Sequence, residues 1–505
     1  MLLALLPALL AAVPLVLGGQ VPIVDGVYGG VRDNASSSKG AVKLADLSIA
    51  ATTPGKIRAV QNTGVCETTP GVFSASGYGD LTSTESIFFW YFAARNNNDT
   101  APLSLWFNGG PGSSSMIGLF QELGPCRINN ASSAVTLNPN AWNTNSNLLF
   151  IDQPVGVGFS HGTMNVGTSE QAASDVWNFL QIFLSDSRFS SLQSRDLAIW
   201  TESWVFRKLH IEELSETDNA SSYGGHYGPT FAAYFLAQNA AIAAGSISGI
   251  TLNLKTLGVG DGLTDPLSQY PGYITYAGSN PYHALVSAST ISRANTSWLS
   301  STGCKEQITA CNNGGSNSVC SKAQSFCNDN ILSPLAGNFD VYYVLATNPD
   351  PYPPDLTSYL RSIQTKIGAE STWQETNDQV YDNFAATGDW MRNSRPDLES
   401  VINAGVRVVV YDGDADYILN FNGVEAMVNN LDMKFTSILQ AQAFQSYTVG
   451  GQVTGQFKNA GTFSYIRIYG AGHEVPAYKF GSLAYGQAAL QMFEQIMANQ
   501  SLSAT

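Results

Sequence analysis

Basic residues are scarce in this chain of 505 residues. Lys and Arg together number 24 and Asp and Glu 39, so the formal net charge at pH 7 is -15. A surface of this sign argues against binding to nucleic acid, and it suits a soluble protein working in acidic surroundings. With 44% hydrophobic residues the chain can bury a large core, either as several domains or as one α/β domain with insertions.

Nucleotide and metal motifs are missing. A GDGL segment near Gly260 resembles a nucleotide loop, but no GxGxxG opens a helix after the first predicted strand and no Walker pattern occurs. The Cys and His residues lack the clustered spacing of a metal site. We therefore expect a function that needs neither a cofactor nor a metal ion.

Long apolar runs are absent after the first residues of the chain. Residues 1–17 are almost wholly apolar and are followed by Gly18 and Gly19, so we predict a signal peptide over residues 1–19 and a mature chain from about Gln20. The start lacks the usual basic residue, and a buried N-terminal helix is the alternative. The C-terminal SLSAT is not an ER-retention signal, so we expect a soluble product that is secreted or sent to a vacuole or lysosome-like compartment.

The cysteines are few but even in number, which in an exported chain implies up to three disulfides with fifteen connectivities. They are Cys66, Cys126, Cys304, Cys311, Cys320 and Cys327. Acceptor sequons for N-glycans favour the same secretory route. They stand at Asn34, Asn98, Asn130, Asn295 and Asn499.

Apolar runs alternate with amphipathic segments along the chain. The predicted strands are 87–92, 103–106, 148–151, 197–200, 256–259, 406–411 and 466–469. Several runs are continuous, which is typical of a mostly parallel sheet covered by helices on both faces. The clearest helix follows Thr168, where Thr168 and Gln171 predict a capping box.

One long segment, residues 265–398, interrupts this alternation. It holds four of the cysteines and the proline-rich turn NPDPYPPD. We predict a cap inserted between two parts of an α/β core, residues 20–264 and 399–505, and expect it to shape the substrate pocket.

Four segments near the ends of predicted strands carry the chemistry. They read WFNGGPGSSS (106–115), SYGGHYGP (222–229), DGDADY (412–417) and GAGHEVP (470–476). Ser222, Asp416 and His473 follow the chain order of an α/β-hydrolase triad, in which an imidazole takes the serine proton and a carboxylate orients the imidazole. The adjacent Gly109 and Gly110 allow the close backbone approach that an oxyanion hole needs.

Together with IDQPVGVGFS (151–160) and VGDGLTDP (259–266), these segments resemble the serine carboxypeptidase family over nearly the whole mature chain. The resemblance implies an α/β-hydrolase fold and an enzyme that removes C-terminal residues from peptides and proteins at acid pH through an acyl-enzyme. It implies oxyanion N–H groups from Gly110 and Tyr223. It also implies that the substrate's terminal carboxylate is bound by Trp106, Asn108, Glu122 and Glu202.

The acid preference has a physical reason. A substrate carboxylate against Glu122 and Glu202 is a like charge, so binding favours a protonated glutamic acid that can donate a hydrogen bond. We therefore expect binding to weaken as the pH rises and the glutamate ionises.

Other residues compete for these roles, and two positions depart from the family pattern. The family often has Cys where Ser113 stands and Met where Glu474 stands, and neither change removes a triad member. Asp412 and Asp414 are alternatives to Asp416, but the family pattern selects Asp416, and we expect Asp414 to stabilise the turn. We expect structural or surface roles for His161 and His283. His210 lies in the inserted segment 204–222, and His226 lies only four residues beyond Ser222, where it could hardly fold back to act as a base.

An insertion interrupts the family motif TESYGGHYGP. Removing residues 204–222 restores it, with either Ser203 or Ser222 as the retained serine. About one third of the inserted residues are charged, against 12% of the whole chain. We interpret the insertion as a retained intron, with a genuine surface loop as the alternative. Because the nucleophile needs a tight, strained turn between strand and helix, we expect little or no peptidase activity from the chain as written.

Two alternative functions follow from the same motifs. The first is an acyltransferase that uses the same triad, and the second is an inactive secreted homologue, if the insertion is real. The predicted carboxylate cluster favours the peptidase over the transferase. The intact Ser222, Asp416 and His473 favour an enzyme over the inactive homologue.

Overall fold

The computed structural model describes residues 52–129, 131–202, 223–346 and 356–505, and a short antiparallel pair, β1 (Ile23–Val24) and β2 (Val27–Tyr28). Several predictions lie outside the described residues. They concern the signal peptide, Asn34, Asn130, Ser203, His210 and Ser222. Within the described part of the chain, no helix has the length and apolar character needed to span a membrane.

A sheet of eleven strands forms the centre of the described structure. Its strands are β3 (Ile57–Gln61), β4 (Ser74–Asp80), β5 (Ser86–Phe92), β6 (Leu103–Asn108), β9 (Asn147–Ile151), β10 (Leu197–Glu202), β11 (Leu254–Gly260), β12 (Arg407–Gly413), β13 (Gln445–Val449), β14 (Gln452–Ala460) and β15 (Phe463–Ile468). The strand order is β13-β14-β15-β12-β11-β10-β6-β9-β5-β4-β3. The six strands from β15 to β9 are parallel, and the strands at both edges pair antiparallel. A separate antiparallel pair is β7 (Cys126–Ile128) and β8 (Val135–Leu137).

Each of the seven predicted strands falls on a strand of this sheet, and the mostly parallel arrangement is confirmed. The run predicted at 466–469 belongs to β15, which begins three residues earlier, at Phe463, and ends at Ile468. Four edge strands were not predicted. The sequence of β4, SASGYGD, has no apolar run, and β13 is exposed at its start, so neither shows the pattern of a buried strand.

Helices cover both faces of the sheet. They are α1 (Ser169–Ser185), α2 (Gly224–Ala243), α3 (Pro266–Gly278), α4 (Ala288–Leu299), α5 (Cys304–Asn312), α6 (Asn317–Cys327), α7 (Ser333–Ala336), α8 (Leu356–Ile363), α9 (Asp378–Thr387), α10 (Arg395–Asn403), α11 (Phe421–Asn429), α12 (Thr436–Ala441) and α13 (Gln487–Met497). On one face Phe179 and Phe231, from α1 and α2, join the buried core. On the other face Trp142 stacks on Phe493 of α13, with ring centroids 4.2 Å apart.

Helix α1 begins as its capping residues predict. The Thr168 side chain accepts a hydrogen bond from the Gln171 N–H at 3.3 Å. The Gln171 side chain accepts from the N–H of Gly167 at 2.9 Å, one residue before the position that a capping box would use. The first of these bonds satisfies a donor that the first turn of a helix leaves without an intrahelical partner, and the second ties the residue before the cap to the same turn.

The chain between β11 and β12 contributes α3 to α10 and, among its described residues, no strand of the sheet. Disulfides Cys304–Cys327 and Cys311–Cys320 join α5 and α6 within this segment, and Cys66–Cys126 closes the third bridge. The six cysteines are therefore paired, in one of the fifteen connectivities that the sequence allows. The boundaries of the cap at 265 and 398 stay a prediction.

Candidate active site

A buried carboxylate and a buried imidazole meet where β12 and β15 end. His473 Nδ1 lies 2.7 Å from Asp416 Oδ2, and both side chains are fully buried. The backbone N–H groups of Ile418 and Leu419 donate to the two carboxylate oxygens, at 2.9 and 3.1 Å. The backbone N–H of His473 donates to the carbonyl of Tyr342 at 2.9 Å. These bonds fix the Asp416 carboxylate and direct the second ring nitrogen of His473 away from it.

The start of α2 lies directly against the end of β10, although residues 203–223 separate them in the sequence. Thr201 donates its hydroxyl hydrogen bond to the carbonyl of Gly224 at 2.9 Å. A Cβ atom on Gly224 would lie 3.0 Å from the carbonyl carbon of Glu202. The segment 203–222 therefore leaves and re-enters the described fold at one place, whereas the position of Ser222 itself lies outside the described residues.

The glycine loop after β6 approaches the same helix start. The Gly109 N–H donates to the Glu202 carbonyl at 2.9 Å, and a Cβ on Gly109 would lie 2.9 Å from the backbone nitrogen of Tyr223. Only glycine admits this approach. Gly110 has a φ of +106°, a conformation that glycine adopts without strain. The two residues predicted to form the oxyanion hole, Gly110 and Tyr223, thus belong to neighbouring backbone segments.

The four residues predicted to bind a substrate carboxylate form one hydrogen-bonded chain. The Trp106 indole N–H donates to Asn108 Oδ1 at 2.8 Å, and Asn108 Nδ2 donates to Glu122 Oε1 at 3.2 Å. Glu122 and Glu202 hydrogen-bond to each other. Tyr411 completes the chain by donating its hydroxyl to Glu202 Oε2 at 2.9 Å. All five side chains are buried.

Burial raises the pKa of both glutamates in this chain. The pKa of Glu122 rises to about 7, although hydrogen bonds from Asn108 and Glu202 oppose the shift. The pKa of Glu202 rises well above its usual range, first through burial and then through the charge of Glu122. Glu202 is the hydrogen-bond donor of the pair and therefore keeps its proton longer than Glu122.

Asp152 supports the glycine loop from below. Its Oδ1 accepts from the Ser114 hydroxyl at 2.6 Å and from the Ser115 N–H at 2.9 Å, and its Oδ2 accepts from the Phe159 N–H at 2.9 Å. Burial raises the pKa of Asp152 to about 7, although these hydrogen bonds act to lower it. The motif IDQPVGVGFS thus contributes a carboxyl group that holds the loop carrying Gly109 and Gly110.

We expect the protein to unfold more easily at neutral than at acid pH. The folded-state pKa values of Glu122 and Asp152, both about 7, lie above the usual values of 4.5 and 3.8. Each contribution is therefore fully present below about pH 4 and is lost as the pH rises through about 7. It amounts to roughly 3 kcal/mol for Glu122 and roughly 4 kcal/mol for Asp152. Denaturant titrations between pH 4 and pH 8 measure the free energy of unfolding.

The variant Glu122→Gln tests this assignment because its side chain does not titrate. In this variant the free energy of unfolding should fall less steeply with pH. Glu306→Gln, at an exposed position in α5, should leave that pH dependence unchanged. A free energy of unfolding that increases from pH 5 to pH 8 would contradict the prediction.

Two further carboxyl groups surround the Asp416–His473 pair. Ligand atoms of Asp261, Asp416 and His473 all lie within 4.8 Å of one another. Asp261 Oδ1 accepts from the Gly413 N–H at 3.1 Å, and burial followed by the charge of Asp416 raises its pKa. Burial followed by the charge of Glu122 raises the pKa of Glu474. Acidic conditions therefore keep these groups neutral around the triad.

The competing residues have the structural roles expected of them. Asp414 Oδ1 accepts from the Gly470 N–H at 2.8 Å and from the Tyr282 hydroxyl, which holds the turn before Asp416. Asp412 Oδ2 accepts from Tyr465 at 2.9 Å. Asp414 therefore stabilises the turn, and neither aspartate is the partner that holds His473.

The described histidines other than His473 make structural contacts. The ring nitrogens of His226 lie 2.5 Å from the Leu263 carbonyl and 3.0 Å from the Arg392 carbonyl. His161 packs on Tyr78 with ring centroids 4.9 Å apart, and His283 Nε2 lies 2.9 Å from the Val344 carbonyl. The contacts of His161 and His283 agree with the structural or surface roles predicted for them, and His226 is held by two backbone carbonyl groups.

Sequence reasoning missed four residues that complete the site. Asp152 and Asp261 stand in motifs that carry the family resemblance, and their positions directly after strands could have singled them out. Tyr411 ends the apolar run of β12, where its hydroxyl reaches Glu202. Asp389 has no signal in the sequence, because the fold brings it to Tyr223 from another segment.

The chain matches known carboxypeptidases over most of its length. The model of the serine carboxypeptidase family matches residues 65–205 and 219–499, and the unmatched residues 206–218 lie within the predicted insertion. Carboxypeptidase S1 from Penicillium janthinellum is 42% identical over 451 residues, which cover 88% of this chain and 100% of that relative. Carboxypeptidase S1 homolog A from Arthroderma otae is 30% identical over 516 residues, covering 87% and 75%.

A solved structure shares the fold. The prohormone-processing carboxypeptidase Kex1(delta)p from Saccharomyces cerevisiae superposes with a TM-score of 0.66 at 22% identity, covering 86% of this chain and 92% of that one. At this identity the likeness concerns the fold, and it agrees with the predicted α/β-hydrolase architecture.

Proposed function

Because this chain belongs to the serine carboxypeptidase family, a family of hydrolases, we propose that Ser222, His473 and Asp416 cleave the C-terminal bond of peptides and proteins. The single observation that carries the proposal is the 2.7 Å contact between His473 and Asp416, buried where β12 and β15 end. This pair supplies the base and its orienting carboxylate, and the residue that precedes Tyr223 supplies the nucleophile.

In the first half of the reaction, His473 Nε2 accepts the hydroxyl proton of Ser222 while the serine oxygen attacks the scissile carbonyl carbon. Asp416 accepts the Nδ1–H bond, which keeps the base nitrogen turned to the serine and stabilises the imidazolium. The N–H groups of Gly110 and Tyr223 bind the oxyanion. His473 then returns the proton to the leaving amino group, the C–N bond breaks, and the acyl-enzyme forms.

In the second half, a water molecule takes the place of the leaving amino acid. His473 accepts a proton from this water, whose oxygen attacks the ester carbonyl of the acyl-enzyme. The same N–H groups bind the second oxyanion. The ester bond to Ser222 breaks, its oxygen takes the proton from His473, and the shortened peptide leaves with a new carboxylate.

The carboxyl cluster restricts cleavage to the last residue. A protonated Glu202 and the second Nδ2 hydrogen of Asn108 offer donors to the two oxygens of a terminal carboxylate, while Trp106 and Glu122 hold the Asn108 amide in place through its other two hydrogen bonds. A carboxylate bound there leaves room for one residue before the scissile bond. An internal peptide segment presents no carboxylate to these donors and binds poorly.

Labelling by a fluorophosphonate tests the proposal. We expect one label per active chain, on the serine that precedes Tyr223, and release of single C-terminal residues from an N-blocked dipeptide. His473→Ala should lose both label and turnover, whereas His161→Ala, whose ring packs on Tyr78, should keep both. Cleavage of internal bonds, or turnover that survives His473→Ala, would contradict the proposal.

The same proposal places the enzyme on the secretory route, either secreted or in a vacuole-like compartment. Three disulfides support this location, because such bonds persist in oxidising compartments. The asparagines of three sequons, Asn98, Asn295 and Asn499, are exposed and accessible to a glycosyltransferase. Peptides and proteins with free C-termini are the proposed partners.

A further inference from the structure

The side chain of Tyr223 is anchored in a buried polar contact behind the oxyanion site. Its hydroxyl donates to Asp389 Oδ2, and Ser169 Oγ lies 3.1 Å from the same hydroxyl. Asp389 Oδ2 also accepts from the Ser169 N–H at 2.9 Å and from the Ser169 hydroxyl at 2.6 Å. One carboxylate oxygen therefore receives three donors from two different helix starts.

Asp389 joins three segments that are far apart in the sequence. It begins a single helical turn, Asp389–Met391, between α9 and α10. Ser169 is the first residue of α1, and Tyr223 immediately precedes α2. The N-terminus of a helix favours negative charge, so the start of α1 is a suitable place for a buried carboxylate.

Aromatic rings hold the Tyr223 ring in place from several sides. The ring stacks on His226 with centroids 4.7 Å apart, and it packs edge-on against Phe384 and Trp390 at 5.3 and 5.2 Å. Tyr223 is fully buried. The packed rings confine the Tyr223 ring, the Asp389 contact fixes its hydroxyl end, and the backbone fixes its other end.

We propose that Asp389 is a positioning residue for the oxyanion hole, which it holds by accepting the hydroxyl hydrogen bond of Tyr223. The inference rests on the proposed function of the Tyr223 N–H as an oxyanion donor. When the hydroxyl is fixed, the ring and the backbone of the same residue cannot rotate, and the N–H stays directed at the reacting carbonyl. The bond acts on the transition state and not on substrate binding.

The expected effect is therefore on kcat. Removing an oxyanion donor outright costs about 10²- to 10³-fold in kcat, and a donor that is loosened but not removed should cost about tenfold. Tyr223→Phe deletes only the hydroxyl group. Asp389→Asn replaces the carboxylate that accepts the hydrogen bond of this hydroxyl with a neutral amide. Both variants should lower kcat about tenfold and leave KM within twofold.

The experiment measures kcat per active site, counted by fluorophosphonate labelling, so that an unfolded fraction does not lower the value. It uses both the full chain and the form without residues 204–222. A peptidyl boronic acid, which mimics the tetrahedral intermediate, should bind about tenfold more weakly to both variants. The affinity of a non-cleavable peptide with a free carboxylate should not change.

Asp397→Asn is the matched control. Asp397 Oδ2 accepts from the Thr230 hydroxyl at 3.1 Å, so it also ties α10 to α2, but through Thr230 and not through Tyr223. We expect parental kcat and parental boronic acid affinity from this variant. Equal values for Asp397→Asn, Asp389→Asn and Tyr223→Phe would overturn the inference. Absence of both labelling and turnover from the otherwise unchanged form without residues 204–222 would instead overturn the proposed function.

Discussion

Deleting residues 204–222 should raise kcat/KM for an N-blocked dipeptide by about 10⁴-fold, the order of the loss that follows when a triad is put out of register. The reason is geometric. The nucleophile must stand on a tight turn between strand β10 and helix α2, and its oxygen must reach His473. An insertion of nineteen residues at this turn separates Ser222 from the end of β10, which would otherwise hold the serine in position.

The described residues indicate that the deletion can close without moving β10 or α2. Thr201 and Gly224 hydrogen-bond across the insertion, and the space beside Gly224 is filled by the backbone of Glu202. In the shortened chain, Ser203 would join Glu202 directly to Tyr223. The ends of β10 and α2 that it must connect already lie in contact. The unmatched residues 206–218 of the family model fall inside the deleted segment.

Two controls separate this explanation from a general effect on folding. Ser203→Ala in the shortened chain should abolish turnover, because Ser203 is then the retained serine. Sequencing the mature transcript between the codons for Trp200 and Pro229 should reveal a form without the nineteen codons. Full turnover by a purified chain whose mass includes residues 204–222 would show that the segment is a genuine loop and that the prediction is wrong.

The core of the fold could be predicted because its strands are buried on both faces. Continuous apolar runs such as that of β12 mark strands that helices cover on both sides, and they locate the parallel centre of the sheet. The edge strands escape this pattern. In β13 the exposed Gln445 and Ser446 begin a strand that pairing with β14 determines, and no local sequence signal shows that pairing.

Some residues of the candidate site could likewise be predicted from the sequence, and others could not. Asp416, His473, Glu122 and Glu202 could be located because they stand in short motifs that a family resemblance interprets. Asp389 could not, since its role depends on a contact between segments that are 166 residues apart. The pKa values of the glutamates likewise depend on burial, which the sequence does not contain.

The pH dependence of KM should report the Glu122–Glu202 pair directly. Burial raises the pKa of Glu122 to about 7 and raises that of Glu202 well above its usual range, so both glutamic acids are protonated at acid pH and can donate hydrogen bonds. As the pH rises through 7, Glu122 ionises and accepts the proton of Glu202. The substrate then loses a donor and meets a negative charge.

For a peptide with a free C-terminus, KM should therefore stay constant below about pH 6 and rise about 30-fold by pH 8.5, as one ionisation with a pKa of about 7 requires. Glu122→Gln removes the titrating group. Its KM should stay within about threefold of the acid value across the same range, because the amide never acquires the charge. Steady-state kinetics on active-site-titrated enzyme give both constants at each pH.

A peptide whose C-terminus is amidated provides the matched ligand, because it has no carboxylate to repel. Its inhibition constant should hardly change between pH 5.5 and pH 8.5 in either enzyme. If KM of the parent is flat and kcat carries the whole pH dependence, the glutamate pair is not the group that titrates. If KM of Glu122→Gln still rises, the charge comes from another carboxyl group that faces the substrate, and Glu474 is then the residue to replace next, because the charge of Glu122 already acts on its pKa.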